Sequence, residues 1–152
     1  MRRIREMALG DIPGVLEVEA SAFSVPWSEE AFSLELENPG ALYLVVEEDG
    51  EILGYGGLHR VLDIGDITNI AVGERHRRQG LGGQILEQLI LVALANGLTV
   101  LQLEVRVGNT SAIHLYEGYG FALVGRRPSY YTHPIEDALL YTLELKGRDW
   151  NA

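Results

Sequence analysis

The clearest candidate for chemistry in this sequence is a basic, glycine-rich loop between a predicted strand and a predicted helix. The strand ends with Ile70-Ala71-Val72, three Arg lie within residues 75–78, and the helix opens with Gly80-Leu81-Gly82-Gly83. Such a loop presents free backbone N–H groups at the positive end of a helix dipole, an arrangement that binds phosphate. The alternative is a flexible, solvated turn with a glycine-lined helix start. A Walker loop is excluded because it needs a Lys, and a dinucleotide fingerprint is excluded because Ile85 stands where it needs Gly.

The elements that must position this loop follow from the periodicity of the chain. Alternating residues indicate strands, and apolar residues at helical spacing indicate helices. The predicted strands lie near Ile4 and at residues 42–46, 52–58, 66–72, 99–105, 121–125 and 138–145, and the predicted helices are two that Asp11 and Ser28 cap, one from Leu81 to Asn96-Gly97, and one at 112–119. This order predicts a mixed sheet with helices on its faces, α/β or α+β by class.

Length and composition restrict the class of protein further. A chain of 152 residues favours a single domain over residues 1–152, with a core that needs no cross-links. The chain has no Cys, so disulfides, thiolate chemistry and Cys-based zinc sites are excluded. Its four His show no metal-ligand spacing. Without a signal-like or membrane-spanning apolar run, we expect a cytosolic protein.

The net charge of −10 is concentrated in one part of the chain. Residues 6–59 contain twelve Asp or Glu and no Lys or Arg, whereas residues 60–152 carry nine basic and ten acidic residues. A pI near 4.8 disfavours a DNA- or RNA-coating role. The acidic stretch is compatible with a basic protein partner, which its field would attract.

The glycine-rich loop also carries a resemblance to a known family. Arg77-Arg78-Gln79-Gly80-Leu81-Gly82 resembles the Arg/Gln-x-x-Gly-x-Gly/Ala signature of the GNAT superfamily of N-acetyltransferases. Further matching segments, in the expected order, are Asn69-Ile70-Ala71-Val72, Leu103-Glu104-Val105-Arg106, Asn109, Ala112, Leu115-Tyr116-Glu117 and Gly120-Phe121. Residues 23–32 and Tyr130-Tyr131, with Glu136-Asp137-Ala138, resemble the RimI-type branch, whose members acetylate the N-terminal amine of a small-subunit ribosomal protein.

This resemblance spans residues 4–145 and implies both a fold and a coenzyme site. The fold would be a mostly antiparallel sheet of six or seven strands, splayed between its central strands and flanked by about four helices. Residues 77–83 would hold the pyrophosphate of the cosubstrate acetyl-CoA, without a metal, and the main chain of Ile70-Ala71-Val72 would hold its pantetheine arm. The Val72 N–H would donate to the thioester oxygen at a bulge. Asn109 would contact the same arm; alternatively, it caps the short helix.

Amide formation from a thioester needs a neutral amine, a stabilised oxyanion and a proton for the leaving thiolate. The resemblance assigns the role of general base to Glu104 and that of general acid to Tyr116. A phenol with a pKa near ~10 is a plausible proton donor to a thiolate whose thiol has a pKa near ~8.5. An α-amino group has a pKa near ~7.7 to 8.0, against ~10.4 for Lys. A carboxylate base therefore removes a proton more easily from an N-terminus, because the difference in pKa is smaller. The structural alternatives are pairing of Glu104 with Arg106 or an exposed cation, and packing of Tyr116 against the sheet.

Two segments resemble the walls of the peptide groove in RimI-type enzymes. They contribute Phe23, Pro26 and Trp27 between the first two helices, and Arg127, Tyr130 and Tyr131 after the penultimate strand. The same aromatic side chains could instead fill the core.

Three functions are compatible with these residues. The first is acetylation of a protein N-terminus, in particular the N-terminal alanine of a ribosomal protein, by a monomer or weak homodimer with no nucleic-acid or membrane partner. The second is a broader peptide, lysine or small-amine acetyltransferase. The third is a non-catalytic acyl-CoA-binding module, against which the presence of both Glu104 and Tyr116 argues.

Overall fold

The computed structural model describes residues 1–23, 26–132 and 134–145. Over these residues the strands and α-helices follow the predicted order. They are β1 Arg2–Glu6, α1 Ile12–Ala22, α2 Glu29–Glu37, β2 Ala41–Glu48, β3 Glu51–Val61, β4 Ile64–Val72, α3 Leu81–Ala95, β5 Val100–Arg106, α4 Thr110–Gly118, β6 Ala122–Thr132 and β7 Ile135–Glu144. Short 3-10 turns precede α1 and follow β4.

The strands form one seven-stranded sheet in the order β1-β2-β3-β4-β5-β7-β6. All neighbouring strands are antiparallel except β4 and β5, which are parallel. The β4–β5 pairing covers only Ile64 to Asp66 against Val100 to Gln102. Beyond these residues the two strands diverge and leave a gap in the middle of the sheet. This confirms the predicted fold class, a splayed, mostly antiparallel GNAT-like sheet with helices on its faces.

A bulge in β4 accompanies this divergence. The register between β3 and β4 shifts at Gly57/Leu58, so that Thr68 has no partner on β3. The Thr68 hydroxyl lies 3.2 Å from the Gly57 carbonyl oxygen, to which it donates, and 2.9 Å from the Tyr43 hydroxyl. A bulge of this kind bends a strand and increases its twist. The bulge therefore lies just before the β4 residues that border the gap.

Two apolar clusters hold helices on opposite faces of the sheet. The buried side chains of α3, which the helical spacing predicted, are Leu81, Ile85, Leu86, Leu89, Ile90 and Ala93. They pack with β5 residues and with Tyr116 of α4 in one cluster. The second cluster joins Val15 and Val18 of α1 and Phe32 of α2 to Tyr43 and Tyr55 of the sheet.

Two predictions about individual elements were wrong. Asp11 stands at the N-cap position of α1 but makes no capping bond, because its carboxylate pairs with Arg5 at 2.7 and 2.8 Å and accepts from the Ala8 amide. The Arg5 guanidinium holds the pKa of Asp11 below its usual value. Strand β6 does not end at Gly125 but continues to Thr132. Ser28, by contrast, caps α2 as predicted, accepting from the Ala31 amide.

The extension of β6 depends on Asp137 of β7. Its carboxylate accepts from the Ser129 amide at 2.8 Å and from Arg126 at 2.7 Å. These bonds hold an irregular stretch with Ser129 at φ = +51°, after which pairing resumes at Tyr131. The turn-like residues Pro128 and Ser129 therefore lie within the strand.

We expect Gly56→Ala to lower the free energy of unfolding by about 1–3 kcal/mol. Gly56 of β3 lies under α3, and a Cβ atom there would stand 2.5 Å from Cγ2 of Ile85. Urea denaturation measures the change. Gly10→Ala is the matched control, because no atom lies within 4 Å of a Cβ at that position. An equal loss of stability in both variants would contradict close packing of α3 on Gly56.

Candidate active site

The glycine-rich loop leads from the end of β4 into α3. Gly80 caps α3 with φ = +77°, and Arg78 is also left-handed at φ = +64°. The first hydrogen bond of the helix runs from the Gln84 amide to the Gly80 carbonyl. The amides of residues 81–83 therefore have no partner within the helix, as is usual for a first turn. These amides are free donors at the positive end of the α3 dipole, and the phosphate site here stays a prediction.

The arginines of this loop have different surroundings. Arg75 lies 3.1 Å from the Glu51 carboxylate. Arg77 donates to the Ser21 carbonyl at 2.9 Å and so ties the loop to the end of α1. Arg78 is exposed and has no ion-pair or hydrogen-bond partner within the described part of the chain. Arg78 is therefore the loop cation that is available to an anionic ligand. Nearby, the Gln79 side chain accepts a hydrogen bond from Arg2.

If this loop binds the phosphates of acetyl-CoA, as the GNAT resemblance implies, Arg78→Ala should raise the KM for acetyl-CoA about 3–10-fold with kcat nearly unchanged, because one exposed charge-assisted contact contributes roughly 1 kcal/mol. Initial rates at varied acetyl-CoA measure it. Arg75→Ala is the matched control, since Glu51 already engages that guanidinium. The effect of Arg78→Ala should shrink with added salt. Equal KM values for the two variants would contradict a phosphate contact by Arg78.

The edge of β4 that faces the gap offers backbone groups for a ligand. Gly73 directs its amide to Leu53 of β3. Because successive residues of a strand direct their backbone groups to opposite edges, Val72 and Ile70 face the gap. Pairing between β4 and β5 has ended before these residues, so β5 does not take up their N–H and C=O groups. Ala71 between them is buried.

Glu104 lies on β5 beside this gap. Its side chain is 30% exposed and lines a cavity of about 140 Å³. Arg127 of β6 approaches its carboxylate at 3.7 Å. Glu104 also raises the pKa of Tyr130 above its usual value, because the carboxylate lies near the Tyr130 hydroxyl. Glu104 therefore pairs with a cation across the sheet, whereas Arg106 pairs with Glu136 at 3.3 Å.

Asp66 is a further residue of this cavity that the sequence pattern did not single out. It lies on β4 and pairs with Gln102 of β5. Gln102 is two positions before Glu104, and all three residues line the cavity. Partial burial raises the pKa of Asp66, and the negative charge of Glu104 adds to the shift. The cavity therefore brings two carboxyl groups together beside one cation, Arg127. Only the parallel pairing of β4 with β5 brings Asp66 close to Glu104, and the local sequence does not indicate this pairing.

Tyr116 of α4 is buried against the other face of the sheet. The centroid of its ring lies 5.6 Å from that of Phe121. Tyr116 therefore packs in the core, as the structural alternative predicted. Burial raises the pKa of Tyr116 to about 12, with a smaller electrostatic contribution from Tyr131. Its hydroxyl therefore remains protonated, and able to donate, at neutral pH.

The two predicted walls of the substrate groove lie on different elements. Tyr130 and Tyr131 form an edge-to-face pair within β6, with centroids 5.1 Å apart. Arg127 stacks on Tyr130 at 5.5 Å, and Arg106 stacks on Tyr131 at 4.2 Å. This arrangement leaves Tyr130 exposed beside Glu104.

The other wall lies between α1 and α2. Phe23 and Pro26 are exposed, whereas Trp27 is half-buried with its ring 5.2 Å from that of Phe32. Trp27 therefore belongs to the edge of the second apolar cluster. Asn109, predicted near the coenzyme arm, caps α4 by accepting from the Ala112 amide at 3.2 Å.

The described residues show neither a metal-binding cluster nor a membrane-spanning helix. No three His, Cys, Asp or Glu side chains come together there in a way that could hold a metal ion. His59 pairs with Glu35 and His76 with Glu51, while His133 lies outside the described residues. None of the described helices is both long and apolar enough to span a membrane.

The fold and the site define a class of protein that comparison with known sequences identifies. The model of the Acetyltransferase (GNAT) family matches residues 12–121, from the start of α1 to three residues after the end of α4. The chain therefore belongs to the GNAT acetyltransferase family, as its sequence motifs predicted.

Individual relatives are similar to this chain over almost its whole length. A Bacillus subtilis (strain 168) protein, provisionally named a ribosomal protein bS18-alanine N-acetyltransferase, is 44% identical over 138 residues, covering 90% of this chain and 91% of that protein. The ribosomal-protein-S18-alanine N-acetyltransferase from Escherichia coli has a crystal structure that matches with a TM-score of 0.90 at 34% identity, covering 100% and 99% of the two chains. A GNAT acetyltransferase from Elizabethkingia anophelis, solved with acetyl-CoA bound, matches with a TM-score of 0.78 at 26% identity, covering 94% and 97%.

Proposed function

We propose that this protein transfers the acetyl group of acetyl-CoA to the N-terminal α-amino group of a ribosomal protein, with alanine as the acceptor residue. The observation that carries the proposal is the gap between β4 and β5. It brings the free edge of β4, which leads into the glycine-rich loop, beside the cavity of Glu104. The names of the Bacillus subtilis and Escherichia coli relatives support a ribosomal protein as the substrate.

In this proposal the residues around the gap divide the chemistry of acyl transfer. Glu104 takes a proton from the acceptor ammonium, directly or through a water molecule, because an α-amino group titrates near ~7.7 to 8.0. The neutral nitrogen attacks the thioester carbon, so that a C–N bond forms and the C–S bond then breaks. The Val72 amide, facing the gap, donates to the developing oxyanion. As the C–S bond breaks, Tyr116 donates a proton to the departing sulfur. The extra proton that the nitrogen still carries after attack passes to water, and water returns a proton to Tyr116.

The surroundings of Glu104 suit a cationic amine as acceptor. Asp66 and Glu104 line one cavity, and both carboxylates favour an ammonium group there. Arg127 lies 3.7 Å from the Glu104 carboxylate, so the arriving amine takes over part of that contact, and Tyr130 lies nearby. A compact α-ammonium group with its peptide lying along the tyrosines fits this arrangement.

The charge of the protein supports a basic substrate. The exposed side of α2 carries Glu29, Glu30 and Glu37, and Glu17 of α1 is also exposed. Ribosomal proteins are generally basic, so this acidic surface would steer such a partner towards the site, and the effect would weaken with salt. We propose that the reaction takes place in the cytosol, where such substrates are made.

The test uses two peptides that begin with alanine and contain one internal Lys. They differ only in a free or an acetyl-blocked N-terminus. We expect mass spectrometry to find one added acetyl group, at the N-terminal residue, on the free peptide and none on the blocked peptide. Acetylation of the Lys in the blocked peptide would contradict the proposal and favour a broader acetyltransferase. Binding of acetyl-CoA without turnover of any peptide would favour the non-catalytic module.

A further inference from the structure

Glu19, in the second half of α1, is a buried carboxylate that the proposed chemistry does not use. It is 1% exposed, and among the described residues it is the one charged residue that is buried. Burying a carboxylate costs several kcal/mol unless hydrogen bonds compensate for the lost water. An apolar side chain at this position would avoid that cost, so the contacts of Glu19 call for an explanation.

Both carboxylate oxygens of Glu19 accept a hydrogen bond. The Trp27 amide donates to Oε2 at 2.9 Å, and the Tyr55 hydroxyl donates to Oε1. The Asn69 side-chain amide in turn donates to the Tyr55 hydroxyl oxygen at 2.9 Å. Burial and the charge of Glu19 raise the pKa of Tyr55, which keeps its hydroxyl a donor. The network thus joins α1, the segment before α2, β3 and β4.

The two ends of this network lie at the two halves of the candidate site. Trp27 belongs to the predicted peptide wall, and its ring leans on Phe32, whose ring lies 5.6 Å from that of Tyr55. Asn69 follows the bulged residue Thr68 and directly precedes the free edge of β4. Glu19 therefore connects the backbone of the peptide wall to the strand that borders the gap.

We propose that Glu19 is a positioning residue that holds the Trp27 segment at a fixed place relative to the β4 edge, and so orients the peptide substrate. This inference rests on the proposed function, because it treats the Trp27 segment as a wall of the peptide groove. A rigid wall lowers the ordering cost of binding. Loss of Glu19 should then weaken the use of peptide while leaving the coenzyme side of the gap unaffected.

The central comparison is Glu19→Leu with Glu19→Gln. Leu has a similar volume but offers no acceptor, so we expect the KM for the peptide to rise at least ~10-fold, with the KM for acetyl-CoA within about 2-fold of the parent. Gln keeps an acceptor oxygen for the Trp27 amide, and we expect its peptide KM to stay within about 3-fold. Tyr55→Phe, which removes the donor to Oε1, provides a second variant that should move the peptide KM in the same direction. Unchanged peptide KM values in Glu19→Leu and Tyr55→Phe would overturn the inference.

Val15→Ala separates positioning from general loss of stability. Val15 is fully buried on the same helix and in the same apolar cluster, but it lies outside the network. The variant should lower the melting temperature through a cavity without changing the peptide KM. An equal rise of the peptide KM in Val15→Ala and Glu19→Leu, at matched stability, would overturn the inference.

A second readout does not depend on activity. The chain contains two Trp residues, so in a Trp150→Phe background the fluorescence reports Trp27 alone. We expect a red shift in Glu19→Leu, because the segment is released to solvent, and none in Val15→Ala. A parent protein that acetylates no peptide would overturn the proposed function but leave this measurement valid. An unchanged Trp27 emission in Glu19→Leu would overturn the positioning role whatever the activity.

Discussion

Replacing Glu104 by Gln is expected to lower kcat by at least ~10²-fold, the usual effect of removing a general base. Gln has nearly the same size and still reaches Arg127 and Tyr130, so the cavity keeps its shape, but an amide cannot take the proton of the acceptor ammonium. Binding of acetyl-CoA, measured by calorimetry, should stay close to that of the parent. Rates at saturating peptide and acetyl-CoA measure kcat.

Gln102→Asn is the matched control for this variant. Gln102 lines the same cavity on the same strand, and shortening it should change kcat by less than about 3-fold. A Glu104→Gln protein that keeps half of the parental kcat would contradict the role of Glu104 as general base. In that case the contact with Arg127 would be the reason for the carboxylate at this position.

Replacing Tyr116 by Phe is expected to lower kcat by about 10- to 100-fold, because the leaving sulfur loses its proton donor. The ring should still pack on Phe121, so the melting temperature should change little. Since burial raises the pKa of Tyr116 to about 12, the donor stays protonated, and we expect no loss of parental activity from its ionisation below about pH 10. Steady-state rates and a thermal melt test both expectations.

Tyr43→Phe is the control for the loss of a buried phenol. Tyr43 is buried in the second cluster, and its hydroxyl contacts Thr68 rather than the cavity of Glu104. We expect this variant to lose about 1 kcal/mol of stability and to keep its kcat. If Tyr116→Phe behaved like Tyr43→Phe, Tyr116 would be a core residue without a role in proton transfer.

The order of the elements could be predicted because its signals are local. Alternation along β5 and the helical spacing on α3 are visible within short windows, and the Ser28 cap depends on residues three positions apart. The end of β6 was mispredicted because Asp137, eight residues after Ser129, supplies the bonds that keep the strand going. Asp11 likewise gave up its capping role to Arg5 of the preceding strand.

The candidate site was predictable to the same extent. The glycine-rich loop is a contiguous motif, but its separate arginine roles depend on Ser21 and Glu51, which are distant in sequence. Asp66 reaches Glu104 only through the parallel pairing of β4 with β5. A Glu within a helix is ordinarily expected to face solvent. Glu19 is buried instead, and its hydrogen-bond partner Tyr55 is 36 positions away in sequence. Contacts between distant elements set each of these roles.

The most direct test of the central claim is mass spectrometry of protein N-termini in cells with and without this chain. We predict that one small-subunit ribosomal protein carries an acetyl group on its N-terminal alanine when the protein is present and a free amine when it is absent. A cell that expresses the Glu104→Gln variant in place of the parent protein should resemble the cell without the chain. Unchanged N-termini, together with loss of acetyl groups from lysine side chains or small amines, would contradict the claim.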